Sequence, residues 1–316
     1  MSEKKVIAVI GATGAQGGGL ARAILDDPQG GFAVRGVTRN TASAKAMELE
    51  RAGAEVVEAD TEDVESLKRA FTGAYGAYCM TNFWEHFSPQ KGLAQAENMS
   101  RAASAAGLRH VIWSTLEDTR RWVPLEDDRM PTLMEKYKVP HFDAKGEADR
   151  LFSEHSVPTT FLLTSFYWDN LISFGMGPKR GPDGVLAITM PMGDKRLPGI
   201  AAEDIGRCAY GIFKRGPDLV GQTVAIAGGL PTGAEMASAL SAALGEEVRY
   251  QDVPPETFRG FGFPGAEDLG NMFQFKRDFN DYYCGARDPE KARELNPALQ
   301  SFEEWLERNA TRIPIE

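Results

Sequence analysis

The chain has 316 residues, 25% charged and 42% hydrophobic, an ordinary mix for a globular protein with enough length for a real core. Its net charge of −10 argues against a general nucleic-acid or anionic-membrane surface, since both need a basic footprint, but it leaves room for a local basic pocket around a phosphate. Cys79, Cys208 and Cys284 lie far apart without a CxxC, which points to a reduced intracellular chain. His86, His110, His141 and His155 lack paired-ligand spacing, so no metal site is expected. Met-Ser-Glu-Lys-Lys runs straight into an apolar strand, with no signal peptide, and no apolar run approaches the roughly 20 residues that span a bilayer. The expectation is a cytoplasmic protein.

Val6-Ile7-Ala8-Val9-Ile10 reads as a buried strand. Gly11-Ala12-Thr13-Gly14-Ala15-Gln16-Gly17 follows it and opens a helical stretch with apolar positions at Leu20, Ala21, Ile24 and Leu25. Glycines between a strand and a helix suit a dinucleotide. The first permits a tight turn, the second lets backbone approach a pyrophosphate, and the third lets helix and strand pack closely. The helix N-terminus adds free N–H groups and positive partial charge. The spacing here is GxxGxxG rather than GxGxxG.

Further strands are expected at Ala33–Val37, Glu55–Ala59, Ala77–Met80, His110–Trp113 and Thr159–Leu163. Helices are expected between them, near 42–52, 64–71, 94–106 and 142–155. Strands alternating with helices of this length define an α/β fold with a doubly wound parallel sheet, whose ligands lie at the carboxyl ends of the strands. After Leu163 the regularity fades. Residues 175–184 read as a Gly/Pro-rich loop, 203–214 as a helix, 223–227 as a strand, 232–244 as a helix capped by Thr232, 248–252 as a strand and 301–309 as a helix. The expected division is 1–165 for the nucleotide domain and 166–316 for a smaller α+β lobe interleaved with it. Residues 117–140, charged and with three prolines, suggest a mobile surface insertion.

The second strand ends Val37-Thr38-Arg39-Asn40, and the next acidic residue is Glu48. An acidic residue at this strand end would hold a ribose 2′-hydroxyl, whereas Arg39 suits a 2′-phosphate. NADP is therefore favoured over NAD, with Asn40 and Ser43 as further hydrogen-bonding candidates. Arg39 as a solvated loop arginine is the bland alternative. Asp60 and Thr61 either border the adenine or form a solvent-facing turn.

These features resemble the short-chain dehydrogenase/reductase superfamily, most closely its NmrA-like branch and the NADPH-sensing members of that branch. The matching residues are the glycine run, Val37–Asn40, Gly53–Val57, Thr81-Asn82-Phe83-Trp84-Glu85, His141-Phe142-Asp143-Ala144-Lys145-Gly146-Glu147, Gly262–Ala266 and Asn271-Met272-Phe273. The resemblance spans nearly the whole chain. It implies a Rossmann-type NADP domain with a C-terminal lobe and a cleft between them. It assigns Gly11 to Gln16 to the pyrophosphate, Arg39 to the 2′-phosphate, Asp60 and Thr61 to the adenine side, and Thr81, Asn82 and Phe83 to the nicotinamide side. Lys145 matches the superfamily lysine on the nicotinamide ribose, and Tyr167, Trp168, Asp169 and Asn170 match a cofactor-adjacent loop. A cofactor-contacting lysine of those NADPH-sensing members falls at Ala94 here.

Reductases of the superfamily carry YxxxK on a helix, where the tyrosine donates a proton. The tyrosine position is His141, the lysine is Lys145, and Ser114 occupies the usual serine place. Two readings of His141 stand open, a substitute proton donor or a structural helix-start residue. Phe83, Trp84, Phe166, Tyr167 and Trp168 read either as walls of a substrate pocket or as core. The functional expectation is an NADP(H)-binding redox sensor that changes shape with NADPH. The alternative is an NADPH-dependent reductase of a small carbonyl, quinone or imine. The partner is accordingly a regulatory protein or a small-molecule substrate, with no direct nucleic-acid binding, no membrane, and a homo-oligomer left open.

Overall fold

The structure, a computed structural model, describes residues 4–315. Five βα units open the chain: β1 (Lys5–Ile10), α1 (Ala15–Leu25), β2 (Phe32–Thr38), α2 (Ala44–Arg51), β3 (Glu55–Glu58), α3 (Val64–Phe71), β4 (Gly76–Cys79), α4 (Pro89–Ala105), β5 (His110–Thr115) and α5 (Pro140–Glu154). β6 (Thr159–Leu163) follows, then the short β7 (Phe166–Tyr167), α6 (Asn170–Ser173), β8 (Lys179–Arg180), β9 (Leu186–Met190) and β10 (Gly199–Ile200). The last third holds α7 (Ala202–Arg215), β11 (Thr223–Ala225), α8 (Gly233–Leu244), β12 (Val248–Asp252), α9 (Pro255–Arg259), α10 (Ala266–Asp278), α11 (Asn280–Ala286), α12 (Pro289–Leu295) and α13 (Phe302–Asn309).

Seven strands form one parallel sheet in the order β3-β2-β1-β4-β5-β6-β11. This is the doubly wound Rossmann-type α/β fold, with a mixed region after β6. β1, β4 and β5 lie at its centre, and every residue of β4 and β5 is buried, which is why neither strand alternates apolar with exposed polar positions. The order reverses between β1 and β4, so the crevice at their carboxyl ends is where such a sheet takes a ligand. The smaller sheet has the order β12-β9-β8 and shares a core with Trp168, Phe273, Phe302 and Trp305.

Local chemistry fixes several boundaries. Ser43, Asp63 and Ser88 each cap a helix by accepting backbone N–H bonds, and Thr232 with Glu235 forms a capping box for α8. The cap at Ser88 with Pro89 behind it starts α4 five residues before position 94, and Pro140 starts α5 before position 142. β9 and the helices α9 to α12 fall where the sequence showed no regular element. α10 is the clearest case: Asp268 to Lys276 is an unbroken buried run, so no polar face gives it a period to read.

The segment 117–140 is not a loose surface insertion. Val123, Tyr137 and Met130 are fully buried, and the Asp143 carboxylate accepts backbone N–H bonds from Thr119, Lys138 and Val139 at 2.7, 2.7 and 3.0 Å. Asn271 of α10 donates to the carbonyls of Pro131 and Lys138 at 2.9 and 2.6 Å. Its charges and prolines hid these anchors.

α1 and α7 pack through backbone. A Cβ on Gly206 would lie 2.0 Å from the Leu20 nitrogen, and one on Gly19 would lie 2.4 Å from the Glu203 oxygen. Neither neighbour can swing aside. Gly206→Ala should therefore destabilise the fold by roughly 2 kcal/mol or more through overpacking, read as a lower urea midpoint with an unchanged m-value.

Candidate cofactor cleft and active site

The carboxyl ends of β1, β2, β3 and β4 open onto a cleft of about 600 Å³. The turn after β1 forms its floor. Gly11 has φ +68°, and a Cβ on Gly17 would sit 2.5 Å from the Gly11 oxygen, so the helix start can close on the strand only without side chains. No side chain caps α1 at Gly14, and its first turn holds no acidic residue. Its N-terminal N–H groups and positive dipole end are left for an anion. Open backbone donors, a glycine cradle and a nearby arginine fit the pyrophosphate and phosphates of a dinucleotide.

Of the expected cofactor residues, Gly11, Thr13, Gly14, Ala15, Gln16, Gly17, Arg39, Asp60, Thr61, Thr81, Asn82 and Tyr167 line this cleft. The others lie elsewhere. The Asn40 side chain accepts from Ala42 N–H at 3.0 Å, Ser43 caps α2, and Asp169 accepts from the Ala202 N–H at 2.8 Å. Trp168 is fully buried against Phe302 and Trp305, and Asn170 opens α6. Phe83 packs on Trp84, Phe87 and His141, and also lines a second cavity of about 440 Å³ under α10.

The cleft wall also holds residues not expected from the sequence, among them Glu62, Glu85, His86, Lys91 and Gln95. Lys91 and Gln95 come from α4, whose Ala94 is exposed, so a lysine three positions earlier reaches the cleft and pairs with Glu62 at 3.0 Å. Glu85 pairs with Arg39 at 2.5 Å across the mouth of the cleft, where both side chains are about half exposed or more (64% and 47%). Helical spacing in α4 could have found Lys91; no local signal brings Glu85 to Arg39.

Gln16 carries more than the pyrophosphate turn. Its amide oxygen accepts from Tyr78 Oη at 2.6 Å and Ser114 Oγ at 2.9 Å, and its amide nitrogen donates to Tyr167 Oη at 2.5 Å. Ser114 is thus buried with its hydroxyl committed to Gln16. Burial raises the Tyr78 hydroxyl well above its usual range and Tyr167 to about 12, so both stay neutral. Lys145 Nζ donates to the Ser114 carbonyl at 2.8 Å and stands 5.0 Å over the Trp113 ring. Burial of that ammonium pushes it down to about 7, while burial pushes neighbouring Asp149 up to about 7.

His141 is buried, and its Nδ1 meets Asp268 Oδ1 at 2.6 Å. The other carboxylate oxygen accepts the His141 backbone N–H at 3.2 Å. The ring stands 4.8 Å from Trp84 and 6.0 Å from Phe83, in the turn that follows Asn82 of the cleft wall. Asp268 fixes the tautomer: Nδ1 holds its proton toward the carboxylate, and Nε2 is the nitrogen that can exchange one. The 127-residue separation of this pair hides it from local pattern.

Behind Tyr167, Arg287 forms a fully buried bidentate pair with Glu117 at 2.7 and 3.1 Å. Among the described residues, no three His, Cys, Asp or Glu side chains converge to hold a metal ion, and no helix is long and apolar enough to cross a membrane.

The parallel sheet, the glycine turn and the cleft at the topological switch define a Rossmann-type α/β protein. The chain belongs to the NmrA-like family, whose model matches residues 3–306. It is 30% identical to the NmrA-like family domain-containing oxidoreductase FrzB of Cladobotryum sp., over 91% of this chain and 88% of that one. Among solved structures it is similar to NmrA, a negative transcriptional regulator, in complex with NADP (TM-score 0.77, 24% identity, 97% of this chain and 95% of that one). It is also similar to Citrobacter sp. triphenylmethane reductase complexed with NADP(H) (TM-score 0.74, 21% identity, 96% and 99%).

Breaking the buried pair strands a charge. Glu117→Gln should cost about 3–5 kcal/mol of stability, because Arg287 is left without its counter-ion; equilibrium denaturation of the variant checks this.

Proposed function

We propose that this protein binds NADP(H) and reduces a small carbonyl, quinone or imine, with His141 as the proton donor. The His141–Asp268 pair carries this reading. The chain has no tyrosine at the superfamily position, and a histidine oriented by a buried carboxylate offers a proton-donating group in its place. The NADP(H) complexes of NmrA and triphenylmethane reductase, and the oxidoreductase name of FrzB, support the cofactor and the reaction class. In the bound state the α1 N-terminus holds the pyrophosphate, Arg39 the 2′-phosphate and Lys145 the ribose side. When bound, NADPH supplies hydride. His141 gives its Nε2 proton to the substrate oxygen or nitrogen, and Asp268 stabilises the ring while the proton moves.

A second reading, a redox sensor, has its own observation. The Arg39–Glu85 pair is solvent-exposed and weak, worth about 0–1 kcal/mol. A 2′-phosphate would displace Glu85 from Arg39. Glu85 ends the turn Phe83–Glu85, whose Trp84 lies against His141, so phosphate arrival would be felt at the lobe.

The first test is NADPH absorbance loss with a carbonyl, quinone and imine panel. Turnover should fall about 100-fold or more in Asp268→Asn, which keeps the shape but favours the wrong tautomer. Unchanged kcat in that variant sinks the proton-donor role, and no turnover anywhere in the panel sinks the reductase reading. The second test is cofactor titration. Arg39→Asp should lose NADPH affinity and gain NAD affinity, and Glu85→Gln should bind NADPH a few-fold more tightly. NADPH affinity untouched by Arg39→Asp would refute the phosphate assignment. NADPH-dependent change in oligomeric state or in limited proteolysis, lost in Arg39→Asp, would favour the sensor.

A further inference from the structure

A second cavity, of about 440 Å³, opens beside the cofactor cleft and falls within the size range of small-molecule sites. The turn from Asn82 to Phe87 is the wall between them. Asn82, Glu85 and His86 line the cofactor cleft, Phe83 and Phe87 line the second cavity, and no described residue lines both. Leu133, Met134 and Phe263 add to its apolar lining. Phe87, Met134 and Phe263 are 40%, 47% and 40% exposed, so three large apolar side chains of one cavity lie open to water. Phe87 and Met134 also hold left-handed backbone, with φ of +53° and +47°, which bulky residues rarely adopt. Strain of this kind persists only where the surroundings impose it, and it gathers at ligand sites.

Arg259 of α9 brings a cation to the same lining. A Cβ on Gly270 would lie 2.5 Å from Arg259 Cγ, so α10 presses on the arginine stem and limits where it can go. One terminal nitrogen, Nη1, donates to the amide oxygens of Asn271 and Gln274 at 3.1 and 2.7 Å. Nε and Nη2 are left over, and Arg259 forms no ion pair among the described residues. Those two nitrogens form the side-on edge of the guanidinium, the edge with which Arg120 grips the Asp118 carboxylate at 2.7 and 3.0 Å. Burial, with Arg277 nearby, lowers the guanidinium from its usual value more than Glu256 and Glu267 raise it. The carboxylates on the lining are Asp268, held by His141, and the exposed Glu267. One unpaired cation beside one loose carboxylate suits a monoanion and disfavours a phosphate dianion.

We infer that this cavity is a binding site for a flat aromatic carboxylate, its rings against Phe83, Phe87 and Phe263 and its carboxylate on the Nε–Nη2 edge of Arg259. Offset or edge-on ring contacts hold the body, and the guanidinium fork sets the orientation. Pro140 and Asp268 also line the cavity, so a ligand there sits beside His141. The site is read by binding alone, and it stands whether or not the reductant panel shows turnover.

Isothermal titration of 2-naphthoate, paired with its neutral isostere 2-naphthamide, tests this, both without cofactor and with saturating NADP⁺. Wild type should bind naphthoate saturably and at least about tenfold more tightly than naphthamide. NADP⁺ should not displace it. Arg259→Gln should lose about tenfold in naphthoate affinity and change naphthamide affinity by less than about twofold. Glu267→Gln, at an exposed position, should bind naphthoate a few-fold more tightly and naphthamide as before. Phe263→Ala should weaken both ligands alike. A single cooperative urea transition reports that each variant is folded. Should Arg259→Gln not fold, the ratio of naphthoate to naphthamide affinity in wild type and in Glu267→Gln still decides. No saturable naphthoate binding by wild type, equal affinity for the two ligands, or naphthoate binding untouched by Arg259→Gln overturns the inference. Displacement of naphthoate by NADP⁺ would place it in the cofactor cleft and overturn the inference as well.

Discussion

Close backbone approach around α1 is the constraint on which the rest depends. Gly17 meets the Gly11 carbonyl on one side, and Gly19 with Gly206 lets α7 lie against α1 on the other. Any side chain at these places would lift the helix off β1 or off α7. Seated where it is, α1 aims uncapped N–H groups into the crevice at the switch point and carries Gln16 into the interior. The open helix N-terminus and the hydroxyl network are thus two consequences of one packing event.

The buried polar groups show how the lobe is held to the sheet. Asp143, Asp268, Arg287 and Asn271 each join segments far apart in sequence: Asp143 to Thr119, Asp268 to His141, Arg287 to Glu117, and Asn271 to Lys138. Each is satisfied by a fixed geometry, and Asp268, Asn271 and Arg287 resist sliding of the segment from α10 to Arg287 over the sheet ends.

Much of this was legible in the chain. The glycine spacing, the strand–helix alternation and Arg39 after the second strand depend on neighbours within a few residues, and the structure sets most of the residues expected to hold a cofactor in one cleft wall. His141 and Lys145 were legible as positions. Asp268 was not, because nothing within a turn of His141 signals a carboxylate arriving from α10. The segment 117–140 misled because its composition is that of a loop, while its burial is set by contacts with α10.

What the sequence determined by itself is the class of fold and the sheet edge at which its cleft opens, since βαβ periodicity, glycine turns and caps act over distances shorter than a helix turn or two. What only the tertiary structure decided is which charges meet. Glu85 on Arg39, Asp268 on His141 and Glu117 on Arg287 all join residues far apart in the chain, the last pair 170 residues apart. Such pairings are set by how layers dock around a common core, and a local pattern carries no record of that docking.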